Sequence, residues 1–358
     1  MKELKVLSIV VIFTLVLYWG VEPFAHSQMH KHVEFNGFAY NGKSDIEQLD
    51  EKIKKINEEI TELKNSGGKD IKTKIADKEK ELNELKAKLD DTKKFWAEIN
   101  KVPKGGDAAA GKAAIAACVA CHGIKSQGMK APMDPNAAAA AYGVNPPDLS
   151  NAGALYDEKF LIAFLKSPTH AAHVKKLAMP GGLAGDDKNA ANIVAYLKSI
   201  APKEITPKEA FVTACGRCHA NRYGKWTQIG DVPKTKSNIK TGQDIDALKF
   251  KEKVADYQGK LANYMGKLPP DLSIIIRARS EDFLKTFVED PQSQLPGTAM
   301  PRVGLTKEGY EKVISYLEET GDPSKPKREA TGPWVLGFFV IFSLLAYGWY
   351  KSQWKGLK

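Results

Sequence analysis

Cys118-Val119-Ala120-Cys121-His122 and Cys215-Gly216-Arg217-Cys218-His219 are the two stretches on which the reading of this sequence turns. They use all 4 cysteines of the chain, so no thiol is left over for a disulfide. In Cys-x-x-Cys-His the two thiols add across the two vinyl groups of a haem, and the adjoining histidine reaches the iron from one face. The spacing suits one helical turn. A four-cysteine zinc site is the rival, but its pairs are usually separated by about 15 to 20 residues, whereas these lie nearly a domain apart. Two covalently bound haem c groups are therefore expected. Cys118 and Cys121 would hold one with His122 on its iron, and Cys215 and Cys218 the other with His219.

Outward from the motifs the chain repeats itself. Pro146-Pro147-Asp148-Leu149-Ser150 matches Pro269-Pro270-Asp271-Leu272-Ser273, and Ala178-Met179-Pro180 matches Ala299-Met300-Pro301. Each copy closes on a helix-like pattern with the same anchors, Ile193, Tyr196 and Leu197 against Val313, Tyr316 and Leu317. Four matches in one order indicate one small domain present twice, at 105–201 and 202–322, with an extra stretch between His219 and Pro269. Helical patterns dominate and no strand-like alternation persists, so the class is mostly α.

The sixth iron ligand should be soft and lie near the end of each copy, which singles out Met179 and Met300. A thioether favours ferrous iron and raises the potential. Methionine is more often core filler, but its equivalence in both copies, each time before a proline that would fix the loop, favours ligation. Met129 and Met133 stand too close to the first motif, and Met265 is a weaker rival for the second. His170 and His173 read as surface or propionate-edge residues. His26, His30 and His32, with Met29, read as an interfacial cluster, with metal binding or proton carriage as the alternative.

A net charge of +10 would permit several acidic partners, but lysines alternate with acids and no basic stripe with interleaved aromatics appears, which speaks against nucleic acid. Two of the most apolar stretches lie near the ends. Val6 to Val21, within a segment 1–22, reads as a membrane anchor, with a cleaved signal at Ala25-His26-Ser27 as the alternative. Trp334 to Tyr350, within 333–350, reads as a second span, joined to the haem domains by a linker from Gly321 to Gly332. Lys2, Lys5, Lys351, Lys355 and Lys358 place both outer ends in the cytoplasm, against the weaker pull of Lys325, Lys327 and Arg328. The intervening domains then lie outside, where haem c is attached in bacteria.

Residues 43–100 read as an antiparallel coiled-coil hairpin standing apart from everything else. Ser44-x-x-Glu47 suggests a capping box, and Ile46, Leu49, Ile53, Ile56, Ile60 and Leu63 form a heptad seam. Asn65-Ser66-Gly67-Gly68 breaks it, and Ile75, Leu82, Leu85, Leu89 and Trp96 resume it. The expected role is a spacer or docking arm, holding the first haem domain farther from the membrane than the second. Lys101 to Gly106 would be a linker.

The second copy and the tail resemble cytochrome c1, the haem subunit of the quinol:cytochrome c reductase (cytochrome bc1 complex). The resemblance is carried by the second haem motif, by Pro269-Pro270-Asp271-Leu272-Ser273-Ile274-Ile275-Ile276-Arg277-Ala278-Arg279, by Ala299-Met300-Pro301, and by the tail span with Trp354-Lys355-Gly356-Leu357-Lys358. With its extra first haem domain and Glu22-Pro23-Phe24-Ala25-His26-Ser27, the whole chain resembles the two-haem bacterial version. The resemblance implies two tandem class I-like cytochrome c domains, preceded by the hairpin and flanked by N- and C-terminal membrane helices. It gives Arg279 a haem-propionate contact. It also implies cytochrome b and Rieske iron-sulfur partners, a soluble cytochrome c or terminal oxidase as acceptor, and a bacterial inner membrane with the haems on the periplasmic side. The first copy has no arginine after its Pro-Pro-Asp-Leu-Ser, and Ala114 stands where the second has Phe211. Two other functions compete: a two-haem subunit of a terminal oxidase, and a two-haem peroxidase. The tail anchor and arginine-ended segment weigh against the first, methionine on both irons against the second.

Overall fold

The computed structural model describes every residue except 1, 30–34, 67–70, 104, 235–243 and 356–358, and gives the backbone alone of 2–3 and 26–29. His30, His32, Gly67, Gly68 and Lys358 thus lie outside the described residues, as do the side chains of Lys2, His26 and Met29. The described fold is mostly helical, with one small strand pair, Trp226–Thr227 against Gly230–Asp231.

The N-terminal apolar stretch is helical throughout, as Lys2–Val16, a wider π turn at Leu17–Val21, and Glu22–Met29. The π turn has a local cause. Pro23 has no N–H for the carbonyl one turn earlier, and its ring crowds that carbonyl. Widening the preceding turn, with the Glu22 amide bonded to the Leu17 carbonyl, accommodates it. Leu4–Ala25 is long and apolar enough to cross a membrane, with mean hydropathy 2.2 in its most apolar window. The tail helix, Lys325–Gln353, passes the same test at 1.7.

This tail helix corrects the expected linker. Residues from Lys325 onward are already helical, and the joint is pinned. The Asp322 carboxylate accepts from Arg277 at 2.7 Å and from both terminal nitrogens of Arg328 at 2.7 Å. The second copy and the tail helix are thus tied together by side chains as well as by the chain.

The hairpin arms are Lys43–Asn65 and Ile71–Lys101. Ile56, Ile60 and Leu82 bury their seam, with Ile53 and Leu85 packed beside them. Two expectations need correction here. The first arm starts after Gly42, with no side-chain cap, so Ser44 and Glu47 form no capping box. Gly42 is required because its φ is 81° and a Cβ there would fall 2.1 Å from the Trp96 ring. Nor does the hairpin stand apart. Only its outer part does, for Phe95, Trp96 and Ile99 enter the main core, shared with both repeats, beside Phe38 and Tyr40.

Each copy crosses the helix that precedes its motif with its closing helix. In the first, Ala108–Ala114 meets Asp187–Ile200 so closely that a Cβ on Gly111 would lie 1.9 Å from the Asn192 carbonyl oxygen. In the second, Pro207–Ala214, started by a Thr206/Glu209 capping box, meets Lys307–Gly321 through Phe211 and Tyr316, ring centroids 4.8 Å apart. The expected anchors Ile193, Tyr196, Leu197, Val313, Tyr316 and Leu317 are all buried in one continuous cluster. Backbone bonds stitch the copies, Asp157 N–H to the Gly304 carbonyl at 2.9 Å and Thr306 N–H to the Leu155 carbonyl at 2.8 Å. The two repeats therefore share a single core.

Candidate haem sites

Both Cys-x-x-Cys-His stretches fold as one tight turn. The amides of Cys121 and His122 donate to the Cys118 carbonyl at 3.1 and 2.9 Å, and those of Cys218 and His219 donate to the Cys215 carbonyl at the same distances. Both cysteines of each motif and the histidine are thereby gathered within one turn.

The Pro-Pro-Asp-Leu-Ser segments explain themselves against these turns. The Nδ1–H of His122 donates to the Pro147 carbonyl at 2.8 Å, and that of His219 to the Pro270 carbonyl at 2.8 Å. With Nδ1 committed, Nε2 is left as the free lone pair, and neither Nε2 makes a hydrogen bond among the described residues. Leu149 N–H reaches the Gly123 carbonyl, and Leu272 N–H the Ala220 carbonyl, both at 2.9 Å. Asp148 and Asp271 accept from the serine two residues on at 2.9 Å, and their second oxygens accept from Lys125 and Arg222 amides at 3.2 Å. Ser150 and Ser273 accept in turn from the Ser126 and Tyr223 amides. The histidine orienter was legible as a repeated segment; its task is set by contacts across the fold.

The residues present fit a haem. All four cysteines are free. Burial pushes the Cys215 thiol up to about 12 and also raises Cys118 and Cys218. A redox-active Cys-x-x-Cys needs the opposite shift. Burial likewise lowers His122 and His219, keeping each imidazole neutral, the form that binds a metal. Met179 is half-buried against the main core. Met300 is also half-buried, its amide donating to Thr298 Oγ1 at 3.3 Å. Arg279 is exposed, its guanidinium 5.1 Å from the Phe283 ring centroid.

His170 and His173 are hairpin contacts, which corrects their reading as surface or propionate-edge residues. His170 stacks on Phe95 with centroids 4.0 Å apart. His173, at a left-handed φ of 57°, bonds through Nε2 to Asp45 at 3.1 Å and through Nδ1 to Asp290 at 3.2 Å. Arg302 completes the group, 2.7 Å from Asp45 and 3.1 Å from Asp290. A guanidinium and an imidazole thus lie against two carboxylates in a buried cluster joining the hairpin, the first copy and the second. Asp45 also accepts from the Trp96 indole at 2.9 Å. Sequence gave no signal for this group, whose members are scattered from Asp45 to Arg302.

Residues 108–201, which include Cys118, Cys121, His122 and Met179, match the cytochrome c family. Over 104 residues the chain is 34% identical to cytochrome c of Tetrahymena pyriformis, an alignment covering 28% of this chain and 93% of that one. Over 206 residues it is 25% identical to the ammonia monooxygenase gamma subunit of Nitrosomonas europaea, covering 44% of this chain and 85% of that one. No solved structure matches. With a family match that contains a complete attachment motif, and a relative matched over nearly its whole length, the chain belongs to the cytochrome c family and carries covalently bound haem c in an electron-transfer role.

Proposed function

We propose that the chain is a membrane-anchored, two-haem electron carrier that takes electrons from the Rieske subunit of a quinol:cytochrome c reductase and passes them to a downstream cytochrome or oxidase. The observation that supports two haems is the bond-for-bond equivalence of the motifs, down to the 2.8 Å contact from each histidine to a proline carbonyl. Haem supplies reversible one-electron chemistry, and the chain's own residues do the rest. Cys118, Cys121, Cys215 and Cys218 would tether it, and His122 and His219, held by Nδ1, would offer Nε2 to the iron. Met179 and Met300 would supply the soft sixth ligand. Arg279 would hold a propionate of the second haem, as the cytochrome c1 resemblance implies.

The reductase assignment draws on the segment Pro269 to Arg279 and on the pinned tail helix, which ties the second copy to an apolar span. Both outer ends lie in the bacterial cytoplasm and the haem copies on the periplasmic side of the inner membrane. Purification from membranes through a tag on this chain tests the assignment. Cytochrome b and a Rieske protein should arrive with it and the preparation should oxidise quinol; a preparation with neither protein overturns the reading. The ammonia monooxygenase relative favours a second reading, electron transfer within a monooxygenase, and the same preparation would then bring down monooxygenase subunits instead.

A further inference from the structure

The second copy has an element the first lacks, the helix Ile245–Met265, inserted between His219 and Pro269. It is laid across the first copy. The side-chain amide of Asn136, on the first copy's helix Pro135–Tyr142, donates to the Lys253 carbonyl at 2.9 Å and to Asp256 at 2.6 Å. About two turns further on, the Tyr264 ring covers Gly143, where a Cβ would fall 2.3 Å from it.

Between these contacts sits Tyr257, fully buried. Its ring packs with Ala139 and Leu261, and Val144 of the first copy and Cys218 of the second motif close the same cluster. Its hydroxyl accepts from the Asn145 amide at 3.1 Å and donates to the Arg217 carbonyl at 2.9 Å. Arg217 stands between the thiols of the second motif. Asn145 stands two residues before Pro147, whose carbonyl holds His122. A bonded path therefore runs from Cys218 through Arg217, the Tyr257 hydroxyl, Asn145 and Pro147 to His122. Burial pushes Tyr257 up to about 12, so at neutral pH the hydroxyl keeps its proton and remains a donor.

Electron tunnelling weakens exponentially with the gap between redox centres, so a fixed separation matters as much as a short one. Groups are held to such tolerances by buried side chains with both ends bonded. We propose that Tyr257 is the positioning residue that fixes the first haem motif against the second for electron exchange between them, its hydroxyl joining the Arg217 carbonyl to the Asn145 amide. This rests on the two-haem reading above. One electron passes between the sites, one being oxidised as the other is reduced; no bond breaks, and Tyr257 keeps its proton.

Tyr257→Phe keeps the ring and its buried volume and removes only the hydroxyl. In the full chain in detergent, three quantities are read: haem per chain, the midpoint potential of each haem, and the rate at which an electron redistributes between them after laser-triggered reduction. The expected result is two haems, unchanged potentials and a redistribution slowed severalfold. Redistribution at the wild-type rate, with two haems and unchanged potentials, overturns the proposal. One haem per wild-type chain overturns the two-haem reading and the proposal with it. If Tyr257→Phe does not accumulate, Asn145→Pro removes the donor from the opposite side and leaves the inserted helix untouched. Slower redistribution there supports the positioning role, and the wild-type rate refutes it.

Discussion

Asp45 shows how much one side chain can hold. Burial alone would raise its carboxyl, but Arg302 and His173 keep it well below the ordinary carboxylate range. His173 is the counterpart. Burial and the Arg302 charge push it down, and the Asp45 and Asp290 carboxylates on its two ring nitrogens raise it on balance. Removing one partner of a buried ionic group leaves an uncompensated charge, so Asp45→Asn should cost about 3 to 5 kcal/mol, read from the denaturant midpoint. The pH dependence follows in sign. Stabilisation from His173 is complete below its ordinary value of about 6.5 and is lost as pH climbs through the raised value. Asp45 and Asp290 act oppositely, losing theirs as pH falls through their lowered values. His170, lowered by burial, is neutral on the alkaline side. Melting temperature should therefore decline at alkaline pH, and His173→Gln should flatten that limb. On the proposed two-haem reading, Met179→Ala or Met300→Ala should abolish the weak absorption of sulfur-ligated ferric haem at one site and lower that site's potential, leaving the other unchanged. An unaltered spectrum would refute the ligand assignment.

At the scale of elements the hairpin divides in two. Its outer part satisfies its own seam, with Glu59 and Lys78 paired at 2.8 Å across the arms. Deleting residues 60–77 and closing the arms with a short glycine turn should leave haem attachment and the core's melting temperature unchanged. The base is different. Trp96 is 1% exposed and fills core space against Phe95 and Gly42, so Trp96→Ala should cost about 3 to 5 kcal/mol in chemical unfolding. Removing all of 43–100 should prevent stable haem attachment, because Trp96, Ile99 and Asp45 go with it. The seam was legible as heptads because a helix in water must bury a repeating apolar face. The base was not. Its apolar residues continue the same pattern, and only their neighbours distinguish a self-closed seam from a docked one.

For the whole molecule the decisive feature is the shared core. Two domains joined by a flexible linker would each have closed on themselves, whereas here Tyr156 bridges to Leu305 and a single apolar cluster runs through both copies. The expected arrangement, with the hairpin holding the first copy at a distance, does not apply, since the hairpin base touches both copies through His173, Asp290 and Arg302. The two apolar helices contribute nothing to this core, as none of their membrane-length windows is buried. A chain cut to residues 35–324 and exported behind a cleavable signal peptide should therefore leave the membrane fraction on high-speed sedimentation and still carry haem. It keeps Phe38 and Asn36, whose amides donate to the buried Glu289 carboxylate at 2.6 and 2.9 Å.

The sequence by itself determined the attachment chemistry, the repeated segments, the helical class and the two long apolar helices. These depend on residue type and local spacing: two thiols and an imidazole within one turn, a heptad seam, and an apolar run of membrane length. Only the tertiary structure decided that the copies share one core, that the hairpin is rooted in it, and that Tyr257 and the Asp45 cluster join the copies. Those contacts link residues far apart in the chain, such as Asp45 with Arg302 and Asn145 with Tyr257. No local pattern encodes them, because a buried charge or hydroxyl is satisfied by whatever the fold brings within about 3 Å.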